Sequence, residues 1–284
     1  VTHYSLVVNP SLPTIPLFTL AGYFLAAGGA SRRLVRVFNT LFGNIRGGPA
    51  IVTALVCAFF TSFTGASGVT ILALGGLLMP VLLAARYSER NALGLLTGAG
   101  SLGLLFPPCL PLILYAIIST QAKAPVTIEQ MFLGGILPGF LLVGLTAWWG
   151  IAVGPKREGR GSRFDFTAAR RAIWEAKWEL LLPVVAIVAL FGGFATPVEA
   201  AAVTAFYAFF IETFVYRDLK WLRSQTTASV EPGRVPPTIL NVVTECGLLV
   251  GGVLLILGVA NGFTNYLVDA EIPAPAAGTL IEVK

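Results

Sequence analysis

"FFTSFTGASGVTILALGG", residues Phe59–Gly76, sets Thr61, Ser62, Thr64, Ser67 and Thr70 beside Gly65 and Gly68, between two apolar arms. Outside this stretch the chain is strongly apolar. Of its 284 residues 56% are hydrophobic and only 12% charged, with a mean hydropathy of +0.81. Soluble domains carry about 25% charged residues, so the chain reads as an integral membrane protein. Backbone that leaves a helix inside a bilayer has no water to bond. It persists only where it is buried in protein or lines a cavity. The stretch is therefore either a packed small-residue bend or a site.

Apolar segments recur at 13–29, 50–63, 69–84, 92–120, 131–153, 180–195, 198–215 and 239–268. A full crossing takes about 20 residues. The arms at 50–63 and 69–84 are shorter, which predicts a re-entrant hairpin over 49–85 that enters and leaves on one side. Segment 92–120 is longer than one crossing and is interrupted by "GAGSLGLLFPP", whose Gly98, Gly100, Gly103, Pro107 and Pro108 all weaken a helix. It reads as one crossing helix with an unwound middle.

Charge placement orients these segments. Of the 19 Lys and Arg residues, seventeen fall on one face: Arg32, Arg33, Arg36 and Arg46, then Arg86 and Arg90, seven between Lys156 and Lys177, and four between Arg217 and Arg234. The opposite face receives Lys123, Glu129, Asp269 and Glu271. Positive loops stay in the cytoplasm, so the hairpin enters from that side. The net charge of +5 belongs to these loops and indicates no nucleic-acid partner.

"SRRLVRVFNTLFGNIRGG" spaces Leu34, Val37, Phe38, Leu41 and Phe42 as an amphipathic helix lying in the interface, and "FDFTAARRAIWEAKWELLLP" does the same with Trp174 and Trp178 at headgroup level. In "GGFATPVEAAAV", Thr196, Pro197 and Glu199 fit the N-cap, first position and third-residue partner of a capping box. Glu212 and Glu245 fall near cytoplasmic helix ends, within reach of water or an arginine. "LAGYFLAAGG" and "LGVANGFTNYLVDAEIP" share a loose pattern in opposite orientations, as an inverted repeat would. The chain thus divides into a first repeat at 1–153, connecting helices at 154–238 and the start of a second repeat at 239–284. It begins at Val1 without a basic leader and apolar core, and is expected to be part of a longer permease.

Enzyme chemistry finds little support. His3 is the single histidine, Cys57, Cys109 and Cys246 lie in apolar segments without CxxC spacing, and no intramembrane acid pair or nucleophile–base arrangement is visible. No cofactor is expected. What remains is the pair of interruptions. Freed carbonyls and helix C-termini favour a cation, and helix N-termini an anion. Thr64, Ser67, Thr70 and Ser101 add hydroxyls, and no carboxylate lies near the tip. A cation held by neutral oxygens alone suits sodium better than calcium. The alternative is that the small residues only let helices pack closely.

"IPLFTLAGYFLAAGGASRRLVRVFNTLFGNIRGG" (15–48), "FTGASGVTILALGGLLMP" (63–80), "GAGSLGLLFPPCLPLILYAI" (98–117), "FLGGILPGFLL" (132–142) and "GGFATPVEAAAVTAFYAFFIETFVYRDLKW" (192–221) occur in this order. On these motifs the chain resembles, over essentially its whole length, the large membrane subunit (DctM-like) of tripartite ATP-independent periplasmic (TRAP) transporters. The resemblance implies an all-α, multi-pass bacterial inner-membrane protein: the first unit of an inverted-repeat elevator transporter, with a re-entrant hairpin and a broken helix. It implies sodium-coupled uptake of an organic acid, a C4-dicarboxylate or related carboxylate, with a small membrane subunit and a periplasmic substrate-binding protein. A membrane scaffold that no longer transports is the alternative.

The residues it assigns to ion and substrate are Thr64, Gly65, Ala66, Ser67, Gly68, Thr70, Gly100, Ser101, Gly103 and Pro107, with Thr64, Ser67, Ser101 and Gly103 on sodium. The family tip reads S-G-S-S-A-A-T. Thr64, Gly65, Ser67 and Thr70 match it in kind, while Ala66 replaces a serine and Gly68 an alanine. The broken-helix motif reads G-G-T-L-G-I-L-I-P-P-S. Ser101, Leu102, Gly103, Pro107 and Pro108 match it, while Ala99 and Cys109 depart. Two hydroxyls are lost, and carbonyl ligands would persist.

Overall fold

A computed structural model describes residues 9–43, 45, 47–119, 126–155, 166–193, 195–219 and 238–270. Lys123, Glu271, Arg46 and every basic residue in 156–165 and 220–237 lie outside them. Among the described residues there is no strand. The helices are α1 Thr14–Ala27, α2 Ala30–Phe42, α3 Gly48–Thr64, α4 Ser67–Ala84, α5 Glu89–Ala99, α6 Leu110–Ser119, α7 Ile128–Val153, α8 Phe166–Glu175, α9 Lys177–Phe191, α10 Pro197–Phe210 and α11 Ile239–Asp269. A 3₁₀ turn, Leu102–Leu105, separates α5 from α6, and a π turn, Ile211–Val215, extends α10.

The breaks fall where the sequence weakens the helix. Gly28 and Gly29 part α1 from α2, which turns away at 75°. Such an elbow suits an interfacial helix. α2 carries the strongest amphipathic pattern of the interfacial candidates, burying Leu34, Val35 and Val37 and exposing Arg32 and Arg36. α5 and α6 meet at 42° across the predicted unwinding. The capping box at Thr196 forms: its hydroxyl accepts the Glu199 N–H, and the Glu199 carboxylate accepts the Thr196 N–H at 2.7 Å. A second box, Thr127 with Gln130, opens α7.

α4, α7, α10 with its π turn, and α11 are each long and apolar enough to cross a membrane, and each bent pair can be one further span. α3 is the central helix. It packs against α1, α2, α4, α5, α7 and the 3₁₀ turn, and it buries Val52, Val56, Phe60 and Phe63 with its hydroxyls. α4 buries a single i, i+4 row, Thr70, Leu74, Leu78 and Leu82, while Leu72 on its other face is 83% exposed. α7 similarly exposes Leu137, Phe140 and Trp148 and buries Phe132, Gly135 and Gly139. Exposed apolar faces of this kind suit a membrane environment. Between the helices small residues permit the close packing that holds apolar segments together in lipid.

Candidate functional site

α3 ends because Gly65 takes a left-handed conformation, φ +64°, and its N–H returns to the Thr61 carbonyl at 2.9 Å. Ala66 is extended, and α4 begins at Ser67. Two residues therefore reverse the chain. The last carbonyls of α3 and the first N–H groups of α4 are left at the tip without helical partners. A Cβ on Gly65 would stand 2.5 Å from the Cβ of Leu110, the first residue of α6. The tip thus sits on the N-terminus of the second half of the broken helix.

Across this junction runs a chain of buried hydroxyls. Thr64 Oγ1 lies 3.0 Å from Thr70 Oγ1, Thr70 Oγ1 lies 3.0 Å from Thr61 Oγ1, and Thr61 Oγ1 donates to the Gly100 carbonyl at 2.8 Å. Thr64 and Thr70 also approach the Ala66 carbonyl, both at 3.4 Å. All three threonines are fully buried. One network therefore joins the end of α3, the start of α4 and the end of α5. Every side chain in it is neutral.

The 3₁₀ turn is pressed onto α3. A Cβ on Gly103 would fall 2.3 Å from the Ala58 carbonyl and 2.4 Å from the Ser62 nitrogen, so only glycine allows this approach. Pro107 and Pro108 are buried beyond the turn, and Cys109 Sγ donates to the Leu104 carbonyl.

Of the residues singled out from sequence, Thr64, Gly65, Ala66, Thr70, Gly100 and Gly103 meet here. Ser67 is half-buried at the first position of α4, and its hydroxyl stands outside the network. Gly68 is exposed, with open space where a side chain would be. Ser101 faces outward and donates to the Gly98 carbonyl at 2.9 Å. Sequence reasoning missed Thr61 as the link to Gly100. Its signal was present in the i, i+3 spacing of Thr61 and Thr64, which puts both hydroxyls on one face of α3.

A second polar cluster was anticipated only as an arginine within reach of Glu212. Arg33 on α2 contacts Glu179 of α9, Glu212 of the π turn and Asp218. Glu212, expected to reach water or an arginine, is fully buried where α1 passes over it at Gly28 and reaches Arg33 rather than water; Glu245 is exposed.

Residues 4–281 match the family described as the DctM component of the tripartite ATP-independent periplasmic transporter. The chain is 34% identical over 278 residues to the C4-dicarboxylate TRAP transporter large permease protein DctM of Vibrio cholerae, covering 95% of this chain and 59% of that protein. It is 32% identical over 271 residues to the isethionate TRAP transporter permease protein DctMQ of Oleidesulfovibrio alaskensis, covering 94% and 39%. Over 271 residues it is 31% identical to the ectoine TRAP transporter large permease protein TeaC of Halomonas elongata, covering 93% and 57%. The chain spans between about two fifths and three fifths of the length of these relatives, all of them permease proteins. With an all-helical membrane fold, two broken elements and a family match over nearly its whole length, the chain belongs to the DctM component family of tripartite ATP-independent periplasmic transporters.

Proposed function

We propose that this chain is part of the large permease subunit of a sodium-coupled TRAP system that imports an organic acid across the bacterial inner membrane. The observation that carries this reading is the meeting of two interrupted apolar elements over neutral oxygens alone. The C-terminal ends of α3 and α5 turn carbonyls toward the junction, which favours a cation. The N-terminal ends of α4 and α6 lie beside them and favour the carboxylate of a substrate. Sodium would take the hydroxyls of Thr64 and Ser67, the Ala66 carbonyl, and backbone oxygens of the Gly100–Gly103 stretch. Ser101 would contribute through its backbone, since its hydroxyl is committed to Gly98. α3 and α4, reversed at the two-residue tip, form the re-entrant hairpin, although α4 alone is long enough to cross, and the hairpin is carried in an elevator movement. A small membrane subunit and a periplasmic binding protein complete the system.

The relatives act on a C4-dicarboxylate, on isethionate and on ectoine by name. These are small solutes carrying a carboxylate or a sulfonate, which is the class expected here. Uptake by the intact permease with its partners, measured against sodium concentration, tests the reading. Thr64→Val should raise the sodium needed for half-maximal uptake about tenfold, equivalent to losing one ligand worth about 1.4 kcal/mol. Uptake that is indifferent to sodium in the unmodified permease would overturn it and favour a scaffold.

A further inference from the structure

The cluster around Arg33 lies away from the hairpin tip, at the elbow where α1 turns into α2. Arg33 Nε donates to Glu179 Oε1 at 2.6 Å, and Nη2 reaches the same oxygen. Nη2 also points to Glu212 Oε2 at 3.4 Å. On the other edge Nη1 donates to Asp218 Oδ2 at 2.7 Å, and the Gly29 N–H donates to that oxygen at 3.0 Å. The Tyr216 ring lies 3.7 Å from the guanidinium carbon, with its hydroxyl donating to the Glu175 carbonyl. The Glu175 carboxylate itself faces away, toward Arg36. Lys177 lies over Trp174 and Trp178. The ionisable groups facing one another are therefore Arg33, Glu179, Glu212, Asp218 and Tyr216.

Their charges do not balance. One guanidinium meets three carboxylates. Asp218 keeps partial exposure and accepts from two donors. Glu179 and Glu212 have none of its exposure: both side chains are completely buried, and they share one guanidinium nitrogen. A second buried carboxylate with no cation of its own is costly. Moreover, Glu179 Oε2 and Glu212 Oε1 have no hydrogen-bond donor. Both carboxyls converge on the same Arg33 Nη2, Glu179 through Oε1 and Glu212 through Oε2, so they stand side by side. Two carboxylates cannot hydrogen-bond without a proton between them. Among the described residues no set of His, Cys, Asp and Glu side chains is arranged to hold a metal ion. The ligand that fits two adjacent buried carboxyls, each with a donorless oxygen, is a single proton.

We propose that Glu179 and Glu212 form a proton-binding site, in which one proton is shared between the two carboxyls of the folded protein and joins α9 to the π turn under Arg33. With it bound, one buried carboxylate charge faces one guanidinium, and both orphaned oxygens gain a partner. Without it, two buried anions repel each other across the junction of α2, α9 and α10. The site makes the elbow responsive to pH.

Infrared difference spectroscopy on the intact permease at neutral pH tests this. A protonated carboxyl has a C=O stretch above the amide band that shifts down in D₂O. That band should appear in wild type minus Glu212→Gln and in wild type minus Glu179→Gln, because either glutamine supplies its own N–H and removes the need for the proton. It should be absent from wild type minus Glu199→Gln, where the carboxylate serves the exposed cap of α10. As the pH is raised above neutrality, wild type should lose thermal stability while Glu212→Gln does not. If neither difference spectrum contains the band, the oxygens are bridged by water between two anions and the proposal fails. Should both variants fail to fold, the wild-type spectrum decides alone: no exchange-sensitive carboxyl band at neutral pH overturns it.

Discussion

Replacing Gly103 with alanine tests whether the 3₁₀ turn is seated on α3. The new Cβ would lie 2.3 Å from the Ala58 carbonyl oxygen, 2.4 Å from the Ser62 nitrogen and 2.6 Å from the Thr61 Cβ, whereas ordinary contact begins at 3.4 Å. None of these atoms is the end of a flexible side chain. The turn must therefore retreat by about 1 Å, and overpacking of this kind costs about 1–3 kcal/mol. The same retreat draws Gly100 away from Thr61, whose hydroxyl bond to it is 2.8 Å long. Leaving that buried pair unmade adds about 1–3 kcal/mol. Together the loss is about 2–6 kcal/mol. Thermal unfolding of the detergent-purified permease reads it, with Gly98→Ala as the control. Gly98 lies on α5 with nothing within 4 Å of an added Cβ, and alanine there gains up to about 1 kcal/mol of helix propensity. A Gly103→Ala protein that melts with the wild type would refute the seating of the turn, and with it the junction of the two broken elements.

Thr196→Ala removes the hydroxyl that accepts the Glu199 N–H. It should cost about 1 kcal/mol, seen as a lower melting temperature at unchanged uptake. Arg33→Leu removes the one cation facing the two fully buried carboxyl groups of Glu179 and Glu212 and should cost about 3–5 kcal/mol, seen as loss of monodisperse protein on size exclusion. Cysteines placed at exposed Thr127 and Arg170 in intact cells should label with an impermeant thiol reagent at the first position and not at the second. The reverse pattern would invert the topology.

Much of this architecture was legible because its determinants are local. Gly28 and Gly29, the Thr196–Glu199 box, and the cluster of Gly98, Gly100, Gly103, Pro107 and Pro108 each act within a few residues of themselves, and the breaks fall there. The tip was legible in part. Gly65 and Thr64 identify the end of α3, but which hydroxyl reaches α5 depends on how two segments 39 residues apart come together, and Thr61 rather than Ser101 makes that link. The Arg33 cluster was legible only as some arginine within reach of Glu212. Its partners lie 146 to 185 residues away along the chain, and Glu179 reads as one more polar residue on an amphipathic segment until α9 packs against the elbow.

The three threonines at the tip leave one proton with two claimants. Thr61 has a single hydroxyl proton and turns it toward both the Thr70 hydroxyl and the Gly100 carbonyl. Between Thr64 and Thr70 either hydroxyl can donate, and both also face the Ala66 carbonyl. A positive charge settling on the Thr64 and Thr70 oxygens would make Thr70 a poorer acceptor. The Thr61 proton would then commit to Gly100, a carbonyl of the other broken element. Occupancy at one interruption is in this way transmitted to its neighbour with no charged side chain in between.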